Sequence, residues 1–418
     1  MAGAAPQPQA SPVAVELGSS GMGWERITAL ALGGLALALP LSVAAAHIFL
    51  GLLIVLFAFG WRRQPLRRTP LDRPVLLFLA VSVVAAVFGT NPLNSFRALA
   101  PTWHISIYLL VVNLALAEAQ ARRVAALALG VATLNALYGV AQHALGGLDL
   151  FRSTGHELIM RVGTDVRATG VFDHFMTFAG QMLLAALLAI GLALSVPERR
   201  ERRLLWGCAA VIVFGLLASF TRSAWLGFGV GLALVTRLCG RRLFWRAGAA
   251  MAVAVLILVA VSPGVRTRVT SIANVSTDWS NTERLRMWQT ALEIAREHPL
   301  LGVGDGGFRA AMEPYRGAVG ALSHSHPHDE FLAQLTTKGV LGLAAYLYIW
   351  VAFFRAVLPA VARAAGFERG LLIGGAGALA GFQVAGLFES NFGDSEVAML
   401  MWFVVGMALW AERRVTGR

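Results

Sequence analysis

Three histidines at alternate positions, His324, His326 and His328, run into Asp329 and Glu330 within SHSHPHDEFLAQLTTKGVLG, residues 323–342. Imidazoles and carboxylates this close together have the chemistry of a metal site. The same residues also suit proton transfer, since a neutral imidazole poised near pH 7 is a general base, here at the mouth of a helix starting near Asp329. A merely solvated loop is the plainest alternative. Pro327 interrupts the cluster and no partner Cys or further His motif accompanies it, so no metal and no cofactor is expected.

Arginines form the second set. Arg222, in SFTRSAWLG, stands at the end of an apolar run in a turn of a few residues. A charge there is costly unless it faces a polar cavity or an anion. Arg152, Arg161 and Arg167 punctuate residues 146–172, and Arg284 opens the stretch TERLRMWQTALEIAREH at 282–298. Guanidinium forks suit bidentate recognition of phosphate oxygens. Several of them beside a histidine base fit an enzyme whose donor is a lipid-linked diphosphate. Each alone could equally be an interface anchor with a snorkelling stem, a reading strongest for Arg266 and Arg268.

The elements that position these residues belong to a membrane. Of 418 residues 57% are hydrophobic and 14% charged, against about 45–50% and 25% in soluble domains. Apolar runs longer than about 18 residues recur along the chain. The fold expected is all-α: a polytopic integral membrane protein of about twelve transmembrane helices with a large loop containing amphipathic helices. Spans are read at roughly 27–39, 41–60, 74–89, 99–117, 123–145, 173–195, 203–218, 222–237, 243–262, 331–355, 369–389 and 395–411. Residues 27–60 form one run with Pro40 at its middle, which divides it into a hairpin.

Charge sets the orientation. Of the 35 basic residues all but Lys338 are arginine; with this parity 22 arginines lie on one side, including Arg62, Arg63, Arg67 and Arg68. The other side holds 13 basic residues and 15 of the 23 acids. The first side, with both termini, is therefore cytoplasmic. The net charge of +12 is topogenic charge in short loops, and nucleic acid is not an expected partner. The organisation is a disordered cytoplasmic tail (1–23), nine spans with an external loop at 146–172 (24–262), a large external loop (263–330), and three spans with a cytoplasmic C-terminus (331–418). The first apolar run is too long for a cleavable signal. All nine histidines, His47, His104, His143, His156, His174 and His298 with the three above, fall toward the external side. Cys208 and Cys239, in an apolar run and a basic loop, belong to neither a disulfide nor a metal site.

Within the large loop, Leu285, Trp288, Leu292 and Ala295 give residues 282–298 an apolar face suited to the membrane interface. Thr282 is the expected cap and Pro299 the stop. LLGVGDGGF at 300–308 is a glycine-rich turn whose N–H groups could approach a phosphate, or a flexible connector. Its spacing is not that of a nucleotide-binding loop.

TRSAWLG at 221–227, TERLRMWQTALEIAREHPLLGVGDGGF at 282–308 and HPHDEFLAQLTTKGVLG at 326–342, in that order, resemble the core of the O-antigen ligase and polymerase superfamily. Ligases of that family carry a His followed by Asn, Ser or Gln, nine residues, Gly, two residues, then Gly, Thr or Tyr. Here His328, Asp329, Gly339 and Gly342 keep the spacing, and Asp329 departs from the expected type. The resemblance implies a bacterial inner-membrane glycosyltransferase with a fold of the C type, metal-independent and inverting. It would move a glycan from undecaprenyl diphosphate to a sugar hydroxyl of lipid A–core in the periplasm. On that reading His328 is the base, with His326 second. Arg222 and Arg284 hold the diphosphate, helped by Arg161 or Arg167, and Arg152 belongs to the same set. The oligomeric state is left open, a monomer included. The nearest alternative is a polymerase of the same family, and a ligase that glycosylates protein is a third. A lipid-linked glycan transporter would need charged or broken helices near the bilayer midplane and an internal repeat, and neither is evident.

Overall fold

A proline inside a helix removes a backbone donor and clashes with the preceding turn, and the chain reverses at Pro40 between α1 (Ser19–Ala38) and α2 (Val43–Gly60). The computed structural model describes residues 19–60, 66–114, 116–147, 150, 161, 162, 165–273, 279–315 and 326–417. Most of the expected tail, with His156, His324 and Arg152, lies outside these residues, although α1 begins at Ser19, inside the stretch read as tail.

The remaining helices follow the expected spans closely: α3 (Asp72–Phe88), α4 (Pro92–Ala98), α5 (Ser106–Asn113), α6 (Glu118–Ala144), α7 (Phe175–Ser195), α8 (Arg199–Ala218), α9 (Arg222–Cys239) and α10 (Arg241–Val261). Then come α11 (Pro263–Ala273), α12 (Trp279–Glu297), the single turn α13 (Phe308–Ala311), α14 (Glu330–Ala360), α15 (Gly366–Ala385) and α16 (Ser395–Thr416). Six of these helices are long and apolar enough to cross a membrane, and the chain is an all-α polytopic membrane protein. Among the described residues the strands are one antiparallel pair, β1 (Arg161–Val162) with β2 (Asp165–Val166).

The span expected at 99–117 differs. Pro101 leads a 3₁₀ helix over Ala100–Ile105, and only the short α5 follows. The segment still joins the two ends of the bundle, with His104 against His47 at one and Asn113 Oδ1 accepting the Arg67 N–H at the other.

At the centre of the bundle α15 packs on α7 and α9. Its sequence GLLIGGAGALAGF explains why. A Cβ added at Gly191 would lie 2.4 Å from the Gly374 backbone, so the helices touch main chain to main chain, as small residues allow where lipid gives no hydrophobic drive. By contrast α10 has no fully buried side chain and lies at the edge of the bundle along α9.

The loops join in two groups. At one end Arg122 pairs with Glu118 and Glu201, and Arg414 with Glu368. At the other, His47 meets His104, Gln142 stitches residues 169 and 170, and the histidine segment meets the turn after α15.

Two expectations in the large loop are corrected. In α12 the buried face is Glu283, Met287, Ala291 and Ile294, while Leu285 and Leu292 are exposed. The helix packs on α14, and the apolar residues at 285 and 292 are its outer side. Thr282 lies inside α12, which starts at Trp279. The glycine-rich turn is neither a phosphate cradle nor a free connector, because α14 is broken at Gly339 (φ 66°) and the turn fills the break. Val303 and Gly304 donate N–H bonds to the Thr336 and Thr337 carbonyls at 2.9 Å, and Val340 donates to Pro299 O at 2.8 Å. Backbone groups left over by a helix break must find partners; here one segment satisfies the other.

Candidate active site

The site is built where α14 begins. Asp329 has extended backbone and its carboxylate accepts the Leu332 N–H at 2.9 Å. An aspartate does this as well as the amide or hydroxyl expected there, so its departure from the ligase pattern leaves the helix start intact. Burial is the main influence on its carboxyl and pushes it above the ordinary value, against the hydrogen bonds from Leu332 and Phe331. The preceding residue, His328, is held in the left-handed region at φ 50°. Strain of this kind persists only where neighbours enforce it.

The enforcing neighbours come from the turn between α15 and α16. Glu330 donates its N–H to Gly386 O at 2.7 Å and accepts from Ser390 Oγ at 3.1 Å and Phe392 N at 3.3 Å. This staples residues 386–392 to the start of α14 and brings Glu389 to His328. Imidazole Nδ1 lies 2.8 Å from Glu389 Oε1. A carboxylate only accepts, so Nδ1 is the nitrogen that donates, and in the neutral ring this makes Nε2 the basic one. Burial disfavours the Glu389 carboxylate, but the hydrogen bond from His328, with the electrostatic pull of the His328, Arg284 and His326 side chains, holds it below the ordinary range.

Positive charge surrounds this dyad. Arg284, from α12, places Nη2 3.6 Å from Glu389 Oε2. Arg167 follows β2 on a strap held by Gln142, whose side-chain oxygen accepts from the Thr169 and Gly170 N–H groups. Its guanidinium donates to Ser219 O at 2.9 Å and Phe220 O at 3.0 Å, and lies 3.1 Å over the Phe175 ring. Phe220 adopts φ 51° in the turn that presents those carbonyls just before α9 starts at Arg222. Burial, then the charges of Arg268, Arg222 and Arg284, push the Arg167 guanidinium down to about 8. Guanidinium does not surrender its proton in proteins, so these neighbouring arginines together raise a positive potential that favours an anion. His174, capping α7, feels Glu389, Arg167, Asp394 and His328; burial first of all lowers it, leaving a neutral ring.

Residues 207–347 match the family model described as O-antigen ligase. The match covers about a third of the chain and supports membership of the O-antigen ligase and polymerase superfamily. Members of this family are glycosyltransferase-like enzymes of lipopolysaccharide synthesis that handle lipid-linked glycans. No curated protein matches the chain. The matched segment carries Arg222, Arg268, Arg284, His326 and His328, whereas Arg167, His174 and Glu389 lie outside it.

Of the residues expected from sequence, the structure gathers His328, His326, Arg284, Arg222 and Arg167. His326 stands edge-on to His328 at 4.3 Å between ring centroids, and its Nδ1 accepts the His328 N–H at 3.3 Å. Arg161 is exposed on β1 with Nη2 3.4 Å from Gly146 O. Glu389, His174 and Arg268 are the additions. Arg268 bears electrostatically on Arg167, whereas Arg266 bonds Val259 O and Ala260 O. His326, His328 and Glu389 offer ligand atoms within 4.8 Å of one another, a set able to hold a metal ion. Against that stands the neighbouring arginine field, which repels a divalent cation and attracts a diphosphate.

Proposed function

We propose that the protein is an O-antigen ligase that transfers glycan from undecaprenyl diphosphate to a sugar hydroxyl of lipid A–core, without a metal and with inversion. The observation that carries this reading is the His328–Glu389 dyad set against Arg284 and Arg167. The acceptor hydroxyl gives its proton to His328 Nε2 while its oxygen forms a bond to the anomeric carbon. The bond from that carbon to the diphosphate oxygen breaks, and the diphosphate leaves with the electron pair. Glu389 holds the imidazole in the required tautomer and stabilises the imidazolium that forms. Arg284, Arg222 and Arg167, with the neutral His174 as a donor, neutralise the leaving group in place of a divalent cation. The positive-inside count puts this end of the bundle in the periplasm and both termini in the cytoplasm of a bacterial inner membrane.

The test is a His328→Ala strain. Expression and membrane insertion should persist while lipid A–core loses its O-antigen and long lipid-linked polymer accumulates. Attachment of a single repeat instead would point to the polymerase, and unaltered attachment would end the reading.

A further inference from the structure

Beside the dyad lies a second feature, a cavity of about 170 Å³, room for roughly five or six waters by their share of the liquid. It adjoins the site at His326 and Pro327 and is roofed by the first turns of α14 on one side and the 3₁₀ helix at Ala100–Ile105 on the other. Its walls combine two chemistries. Trp402, Phe392 and Phe78 supply aromatic surface, while His104, Gln334 and the Lys338–Asp305 ion pair supply polar groups. Two of those polar groups are incomplete. His104 is 2% exposed; its Nε2 meets His47 Nε2 at 2.8 Å, and its Nδ1 has no partner. Gln334 is 5% exposed; its amide donates to Glu330 Oε1 at 2.7 Å, and its own Oε1 has no partner. Buried polar atoms in this state are costly unless a ligand or water completes them.

We infer that this cavity is the subsite for the acceptor's sugar ring. Aromatic faces pack on the C–H faces of a pyranose, and an amide oxygen, an imidazole nitrogen and an ion pair take up its hydroxyls. The inference rests on the function proposed above, and the stereochemistry decides between acceptor and donor. In an inverting displacement the incoming hydroxyl and the leaving diphosphate stand on opposite faces of the anomeric carbon. The arginines mark the leaving side and His328 the incoming side. The cavity reaches the dyad through His326, which packs edge-on against His328, and among the described residues no arginine lines it.

Ala98 is exposed at the rim of the cavity, so Ala98→Trp closes the mouth without disturbing the core. In detergent, with donor and lipid A–core each varied, Ala98→Trp should raise the acceptor KM by about tenfold or more, as loss of a ring's polar contacts implies, and leave the donor KM within about twofold. Gln334→Leu should act in the same direction, and a thermal melt reports whether that buried variant folds. A rise in donor KM alone, or no change in either KM for Ala98→Trp, overturns the subsite. Calorimetry with deacylated lipid A–core oligosaccharide, which needs no turnover, separates this inference from the function. Binding that Ala98→Trp abolishes, in a protein that transfers nothing, keeps the subsite and removes the proposed activity. Transfer by the wild type with binding indifferent to Ala98→Trp does the reverse.

Discussion

Glu389→Gln isolates the contribution of the dyad's charge. The substitution keeps the side chain's size, so the turn stapled by Glu330 is undisturbed, but it removes the carboxylate 2.8 Å from His328 Nδ1. A hydrogen bond to a charged, buried partner contributes about 1.5–3 kcal/mol. If that stabilisation is felt when the imidazole becomes imidazolium in the transition state, kcat falls by about ten- to 150-fold, at roughly 1.4 kcal/mol per tenfold. The donor KM should not rise, because Arg284 loses the carboxylate 3.6 Å away that competes with the diphosphate. Glu389→Asp, which restores charge at a shorter reach, should recover part of kcat. The assay is transfer in detergent from an undecaprenyl diphosphate glycan to lipid A–core, with each substrate varied in turn. A kcat within twofold of wild type, or a loss confined to donor KM, would refute the base–orienter pair and leave Glu389 as an anchor for Arg284 alone.

Other outcomes follow from the same geometry. Arg167→Lys replaces a planar fork with a point charge and should raise the donor KM by roughly tenfold with little effect on acceptor KM. EDTA should leave the rate unchanged; a rate lost to EDTA and restored by a divalent ion contradicts the metal-free route. Glu389 titrates below its ordinary value in the folded protein, so its stabilising effect is complete above the unfolded value of about 4.3 and is lost as pH falls through the lower folded value. The Tm advantage of wild type over Glu389→Gln should therefore be flat from about pH 8 to 6 and vanish only below about pH 4. Gly339→Ala should lower Tm in detergent: left-handed backbone costs an L-residue about 1–2 kcal/mol, and the added Cβ would lie 2.2 Å from Leu300 backbone.

Helix positions were legible because lipid imposes a simple rule, a continuous apolar run with charge at its ends. The hairpin at Pro40 and the helix starting at Asp329 both follow from local signals. His328, Arg284, Arg222 and Arg167 were legible because arginine and histidine stand out against apolar sequence. Glu389 was not: it lies 61 residues from its partner, and nothing local in LFESNFG distinguishes an orienting carboxylate from any acid at a helix end. His174 reads locally as a helix cap, which it is, and only packing shows it beside Arg167. The face of α12 that packs on α14 was not legible because the helix has apolar residues on two sides. One set packs on protein and the other is exposed, and periodicity alone does not rank them.

The break at Gly339 ties these pieces together. Arg284 sits on α12, a helix outside the main bundle, and a guanidinium so carried would wander relative to a base on α14. Misplacement by about 1 Å can cost a hundredfold in rate. The chain after α12 prevents this by inserting residues 299–304 into the gap that Gly339 opens, with N–H groups of Val303, Gly304, Val340 and Leu341 all bonded across the junction. Lys338, immediately before the break, pairs with Asp305 in the same turn. The helix that presents His328 and the helix that presents Arg284 are thereby one rigid piece. The fixed distance from histidine to glycine in the sequence then has a mechanical meaning: eleven positions after the base, the helix must open to receive the segment that carries the diphosphate's arginine.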